Sequence, residues 1–239
     1  MMEKILLGAW SEKKLDKLIA EAAKIKNVGK RIAFLSGQFI GVSYKESTLI
    51  GNVTTPETLV INIKTFDCST FIDCIEAMRL SRSFFDFKEN LIRIRYKQGI
   101  VRYKRRNHFF TDWSLRNTDS VQDRTKEIGG KKTKTVTKIL NCKDDCSYFL
   151  PGIKSFKRMI SYIPSQSVSK INYLRLKTGD YVGIYSNLAG LDVSHVGIIV
   201  KNSSGIYFRH ASSAARKVVD QDFSEYIVGK PAIIILRPY

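Results

Sequence analysis

Apolar residues recur at helical spacing near the start of the chain and at strand spacing toward its end. Ser11 reads as a helix cap before an apolar face of Leu15, Leu18, Ile19, Ala22 and Ile25, which ends at Asn27-Val28-Gly29. A second helix is expected from Lys30 to Phe39, and the polar, Thr-rich residues 45–58 read as an irregular loop. Leu59 to Ile63 predicts a short strand. Phe71, Ile72, Ile75 and Met78 then return to helical spacing up to Leu80. Leu91–Tyr96 and Ile100–Tyr103 flank Lys97-Gln98-Gly99 and predict a β-hairpin.

Residues 114–170 show little pattern beyond a Thr/Lys-rich stretch at 131–138, which reads as an exposed strand. From Gly179 onward the chain turns to β, with strands expected at Asp180–Tyr185, His195–Val200, Ile206–His210 and Ala232–Leu236. Asn202-Ser203-Ser204-Gly205 has tight-turn composition. A hairpin symmetric about that turn sets position 197 opposite 210, so that His195 and His210 become diagonal neighbours on one face; a slip of one residue would part them. No repeat or low-complexity linker divides the chain. The pattern therefore predicts one α+β domain over residues 1–239, with a helical N-terminal extension to about residue 40. Its expected architecture is an antiparallel sheet, barrel-like, with the helix that starts near residue 68 packed against it.

Composition narrows the functional classes. Lys and Arg number 40 against 22 Asp and Glu, a net charge of +18, which points to polyanionic surroundings such as nucleic acid, an anionic membrane or a bacterial wall. No helix-turn-helix, zinc-finger or RNP-type signature accompanies the charge, so no nucleic acid is expected as partner. Four cysteines are too few for a disulfide scaffold, and Cys142-x3-Cys146 reads equally as a local disulfide or two thiols. The intervals 68–74 and 142–146 do not match paired zinc-ligand spacing, and no metal or cofactor is expected. No segment approaches the roughly 18 apolar residues of a membrane span. The apolar stretch between Met1 and Trp10 is too short for a signal-peptide core, which leaves a leaderless product and a processed form as alternatives.

Candidate chemistry centres on Thr65-Phe66-Asp67-Cys68-Ser69-Thr70. Asp67 and Thr65 are good cap residues, so Cys68 falls in a first helical turn, where free N–H groups and the helix dipole favour a thiolate. Isolated, such a cysteine is more often a buried, inert one, and each histidine alone reads as a satisfied strand residue. Together, Cys68 as nucleophile, His195 as base and His210 as the group orienting it meet the requirements of covalent catalysis. His108, the third histidine, reads as a structural side chain in an aromatic loop.

Phe66-Asp67-Cys68-Ser69-Thr70-Phe71-Ile72 resembles the Asp-Cys-Ser/Val-x-Phe stretch of the NlpC/p60 superfamily of papain-like cell-wall peptidases. The chain is most similar to the superfamily's N-acetylmuramoyl-L-alanine amidase-like (DUF1460-type) branch. That resemblance is carried by Gly41-Val42-Ser43-Tyr44, by Ile94 to Gly99, and by Arg106-Asn107-His108-Phe109 to Trp113. Leu191-Asp192-Val193-Ser194-His195-Val196-Gly197 and His210-Ala211-Ser212-Ser213 complete it, so that it runs from about residue 30 to the C-terminus. It implies a papain-like core and a cysteine hydrolase that cuts amide bonds in peptidoglycan stem peptides, outside the cytoplasm. It also implies that Tyr44 supports the oxyanion beside the Cys68 N–H, and that Asp67 and Ser69 bind the amine of the stem peptide. Thr70 stands where many relatives carry glycine, a departure within the expected pocket.

Two other classes compete with the hydrolase. A non-catalytic binder of an anionic polymer would account for the charge alone. An acyltransferase would share the thiolate chemistry and resolve its acyl-enzyme with an amine or alcohol. The sequence leaves the bond cut and the oligomeric state open.

Overall fold

The computed structural model describes residues 2–168 and 170–239. The N-terminal apolar stretch is a strand, β1 (Glu3–Leu6). Two helices follow, α1 (Glu12–Ala23) and α2 (Val28–Gly37). Ser11 caps α1 as expected, and Leu15, Leu18, Ile19 and Ala22 are buried. Asn27 opens α2, its side chain accepting from the Lys30 N–H at 2.9 Å, which moves that helix two residues upstream of its expected start.

Strands β2 (Ser43–Tyr44), β3 (Leu59–Asn62) and β4 (Thr65–Phe66) lead into α3 (Cys68–Arg79). β1 pairs in parallel with β3, and β2 in parallel with β4. Ten of the twelve residues of α3 are buried. They include Glu76 and Arg79, which form an ion pair; Tyr181 donates to Glu76 at 2.8 Å, and the Arg79 guanidinium reaches the Tyr239 and Ser120 carbonyl oxygens. The helix is the axis on which α1, α2 and the main sheet pack.

The expected hairpin at 91–103 is instead a helix, α4 (Phe84–Arg95). Ser83 caps it, accepting from the Asp86 N–H at 3.0 Å, and Phe84, Phe87, Leu91 and Ile94 fall on its buried side. The apparent alternation from Leu91 to Tyr96 is the second half of a 3.6-residue period that begins at Phe84. Gln98 and Gly99, at φ 58° and 66°, turn the chain away immediately afterward.

A short helix α5 (Phe110–Arg116), strand β5 (Val121–Asp123) and helix α6 (Thr125–Gly129) precede a long hairpin of β6 (Lys134–Leu140) and β7 (Phe156–Pro164). β6 covers most of the Thr/Lys-rich stretch. The last third holds α7 (Lys170–Arg175), β8 (Tyr181–Tyr185), β9 (Val193–Asn202), β10 (Gly205–Ser212), β11 (Lys217–Asp222), α8 (Phe223–Tyr226) and β12 (Ala232–Pro238). The main sheet runs β4-β2-β11-β10-β9-β8-β12-β7-β6, with β5 added on β12. It is a mixed, open sheet, not the closed barrel-like form the pattern suggested. At one end β4 has only two residues before the chain becomes α3; at the other, β6 exposes Lys134 and most of its neighbours, an edge blunted by charge.

Candidate active site

The local sequence of α3 explains how Cys68 is presented. Asp67 caps the helix, its Oδ1 accepting from the Thr70 N–H at 2.8 Å, while the Thr70 hydroxyl oxygen accepts from the Asp67 N–H at 3.1 Å. This reciprocal capping box fixes the entry angle of the chain and places Cys68 at the first helical position. Thr70, the departure from the expected pattern, is thus half of the cap.

Facing the helix, β9 and β10 pair in the register inferred from the turn, with Asn202 opposite Gly205 and Ile198 opposite Arg209. His195 and His210 meet on one face, Nε2 to Nδ1 at 2.7 Å, with ring planes almost perpendicular. Gly197 leaves room for the Phe208 ring that stacks on His210, because a Cβ there would lie 2.6 Å from that ring. His210 Nε2 lies 2.7 Å from the side-chain oxygen of Gln221, on β11. A carbonyl oxygen can only accept, so His210 carries its proton on Nε2 and accepts at Nδ1. His195 Nε2 must then be the donor in the histidine pair, leaving His195 Nδ1 as a bare lone pair.

Cys68, Asp67, Ser69 and His195 line one cavity of about 560 Å³, together with the segment Arg106–Phe110 and the stretch Leu191–Val196. The backbone of Val196, next to His195, and the side chain and backbone of Ser69 act to lower the Cys68 thiol pKa. Burial, reinforced by the Asp67 charge, nevertheless pushes its thiol up to about 11. The helix terminus therefore does not produce a resting thiolate: the carboxylate that caps the helix also opposes a negative sulfur. His195 is displaced the other way, down to about 3, first by burial and then by the charges of His210 and Lys230. His210 is lowered too, again chiefly by burial. At neutral pH the site holds a thiol and two neutral imidazoles.

Tyr44 stands close to this center. Burial raises its phenol pKa first, and the negative forms of Cys68 and Asp67 raise it further, while the Arg216 guanidinium lies 5.3 Å over its ring. His210 sits behind His195, in contact with Phe208 and Tyr226. His108 donates from Nε2 to the Tyr103 carbonyl oxygen at 2.8 Å and forms part of the cavity wall, a structural placement. Gln221 and Tyr226 escaped the sequence reading. Gln221 pairs with Phe208 across β10 and β11, two steps from the His210–Val219 pair and so on the same face, and only that register exposes its part.

Beneath the cavity Asp73 is held on one side by Arg95 at 2.8 Å and on the other by the Trp113 indole N–H at 3.1 Å. Asp192 accepts from the Thr111 N–H and hydroxyl and from the Val193 N–H. Burial raises both carboxyl pKa values. Among the described residues no group of His, Cys, Asp and Glu side chains has the arrangement of a metal site, and all four cysteines are unpaired. Among the described residues no helix is long and apolar enough to cross a membrane.

The molecule is similar to several solved structures. An N-acetylmuramoyl-L-alanine amidase from Bacteroides uniformis is 26% identical, with 89% of this chain and 99% of that one aligned at a TM-score of 0.73. A DUF1460 protein from Legionella pneumophila, at 21% identity, shares the fold over 95% of this chain and 94% of its own, with a TM-score of 0.80. A Bacteroides fragilis protein that carries a provisional xylanase name is 26% identical over 84% of this chain and 98% of that one, at a TM-score of 0.68. No curated protein matches the chain. The AmiA-like family model matches residues 34–233, a span that contains Cys68, both paired histidines and Gln221, and the chain belongs to this N-acetylmuramoyl-L-alanine amidase-like family.

Proposed function

We propose that the chain is a cysteine hydrolase of papain-like, NlpC/p60 type that cleaves amide bonds in the peptides of bacterial peptidoglycan, acting outside the cytoplasm. The observation that carries the reading is the ordered run Gln221–His210–His195, which leaves His195 Nδ1 unprotonated in the cavity it shares with Cys68. Membership in an amidase-like family and the net charge of +18, suited to an anionic wall, support it.

Because thiol and imidazole are both neutral at rest, His195 acts as a general base during attack and not as half of a preformed ion pair. His195 Nδ1 takes the thiol proton as Cys68 Sγ adds to the amide carbonyl. His210 accepts from His195 Nε2–H and so holds the ring, with Gln221 holding His210. The oxyanion receives the Cys68 backbone N–H and the Tyr44 hydroxyl. His195 then passes its proton to the leaving amine nitrogen, the C–N bond breaks and a thioester remains. Water, deprotonated by His195, attacks that thioester and releases the carboxylic acid and the thiol. Asp67 and Ser69, on the cavity wall, bind the amine end of the stem peptide.

A glycosidase reading, prompted by the Bacteroides fragilis relative, would require two available carboxyl groups flanking a sugar. Of the three carboxylates on the cavity wall, Asp73 and Asp192 have both oxygens engaged, and Asp67, whose Oδ1 caps the helix, is left as a single available carboxyl where two are needed. Mass spectrometry of defined muropeptides tests the proposal. The wild type should yield a new fragment that names the bond, while Cys68→Ala, folded as before, should lose at least about 10³-fold in rate. A Cys68→Ala protein that still cuts would overturn the assignment. A fragment that appears only with an added amine or alcohol would replace hydrolysis with acyl transfer.

A further inference from the structure

Beside the catalytic cavity lies a second recess, of about 170 Å³. The two share the segment Arg106-Asn107-His108-Phe109, which lines both. The recess is strongly cationic. Lys97, Lys104, Arg105 and Arg116 line it, and among the described residues none of the four has a carboxylate partner. Two further cations are held rigidly. Arg106 is clamped by both oxygens of Glu57, and Arg158 is fixed by Asp112 at 2.7 Å while lying 5.1 Å over the Phe156 ring. Asp112, the acidic residue in the wall, is consumed by that pair.

Arg158 also keeps one nitrogen, Nη1, buried without a hydrogen-bond partner among the described residues. A buried charged N–H without an acceptor is costly, and a bound oxyanion would remove the cost. A fixed guanidinium flanked by the cationic side chains of Lys97, Lys104, Arg105 and Arg116 matches a carboxylate, which it can meet with paired hydrogen bonds. The recess is too small for a polymer and suits a short acidic side group. It lies one chain segment away from the cavity that holds Cys68.

We propose that this recess is a carboxylate subsite, which takes a free carboxylate of the peptide whose amide is held at Cys68 and so sets which peptides are cut. The assignment rests on the peptidoglycan hydrolase reading and adds a specificity determinant to it. Lys104 and Arg116 are exposed and outside the proposed catalytic machinery, so Lys104→Glu/Arg116→Glu reverses charge without disturbing the core.

The test is steady-state kinetics on a muropeptide with free carboxylates and on the same peptide with those carboxylates amidated. For the wild type, amidation should raise KM about tenfold with kcat unchanged, the effect of losing one charge-assisted contact. The double variant should show that higher KM on the free-acid peptide and no change on the amidated one. Arg158→Met, if folded, should do the same. Equal KM for the two peptides in the wild type, or a variant that weakens both alike, overturns the subsite. Inorganic phosphate that competes with the free-acid peptide in the wild type only, while amidation has no effect, would overturn it in favor of a phosphate site. If neither peptide is cut, the hydrolase reading fails on its own. The subsite is then read by titrating the free-acid and amidated peptides into Cys68→Ala protein, where tighter binding of the acid that the double variant abolishes supports it and equal binding overturns it.

Discussion

The two ends of α3 carry polar groups in opposite conditions. At the C-terminal end, Glu76 and Arg79 are fully buried but saturated: each charge has its counter-charge, and Tyr181 and two backbone carbonyls take up what remains. At the N-terminal end, Cys68 and His195 are neutral, displaced far from their ordinary pKa values, and open to a cavity, with His210 lowered behind them. A buried charge with every partner in place has nothing left to donate and serves the fold. A neutral pair with one bare lone pair and one available proton is poised for chemistry, and the strain of keeping it neutral is borne by the packing around it.

That contrast can be broken from either side. Arg79→Ala leaves the Glu76 carboxylate buried without its partner and should cost about 3–5 kcal/mol of stability, seen as a lower denaturation midpoint. Cys68→Ala should lose activity and leave that midpoint in place. If Arg79→Ala proves neutral in stability, the saturated network is ornamental and the comparison fails.

Gln221→Leu sharpens the chemical side. It frees the His210 tautomer and so the orientation of His195, and should lower kcat about 10²-fold with KM little changed. A purely structural role would instead appear as a lower midpoint with normal turnover per folded molecule.

Stability against pH gives a further test. His195 is held neutral in the folded protein down to about pH 3, whereas unfolded it takes a proton near 6.5. Between those values the unfolded chain binds more protons, so the stability present above about pH 6.5 should decline as pH falls toward 3. His195→Gln should flatten that decline. An unchanged slope in the variant would assign the acid sensitivity to other groups.

Legibility in the sequence followed the range of the interactions. The cap at Asp67, the first-turn position of Cys68, and the β9–β10 turn with its symmetric register were readable, because each depends on residues within a few positions of one another. The α4 segment was misread because a short window showed the alternation of Leu91 to Tyr96, while the helical period declares itself only from Phe84 onward. Gln221, Tyr226 and the Arg158 recess were invisible, since they join residues from 11 positions apart, as His210 and Gln221 are, to about 60 apart, as Lys97 and Arg158 are.

The sequence by itself determined which residues could do chemistry here: a cysteine at a helix start, two histidines on one face of a hairpin and an excess of positive charge. Tertiary structure alone decided their state. Burial and the neighboring Asp67 charge reverse the thiolate that the helix end would favor, because desolvation in a packed core outweighs the dipole of one helical turn. It also decided the sheet, which stays open because its two ends are a two-residue strand and a lysine-edged one that cannot pair with each other.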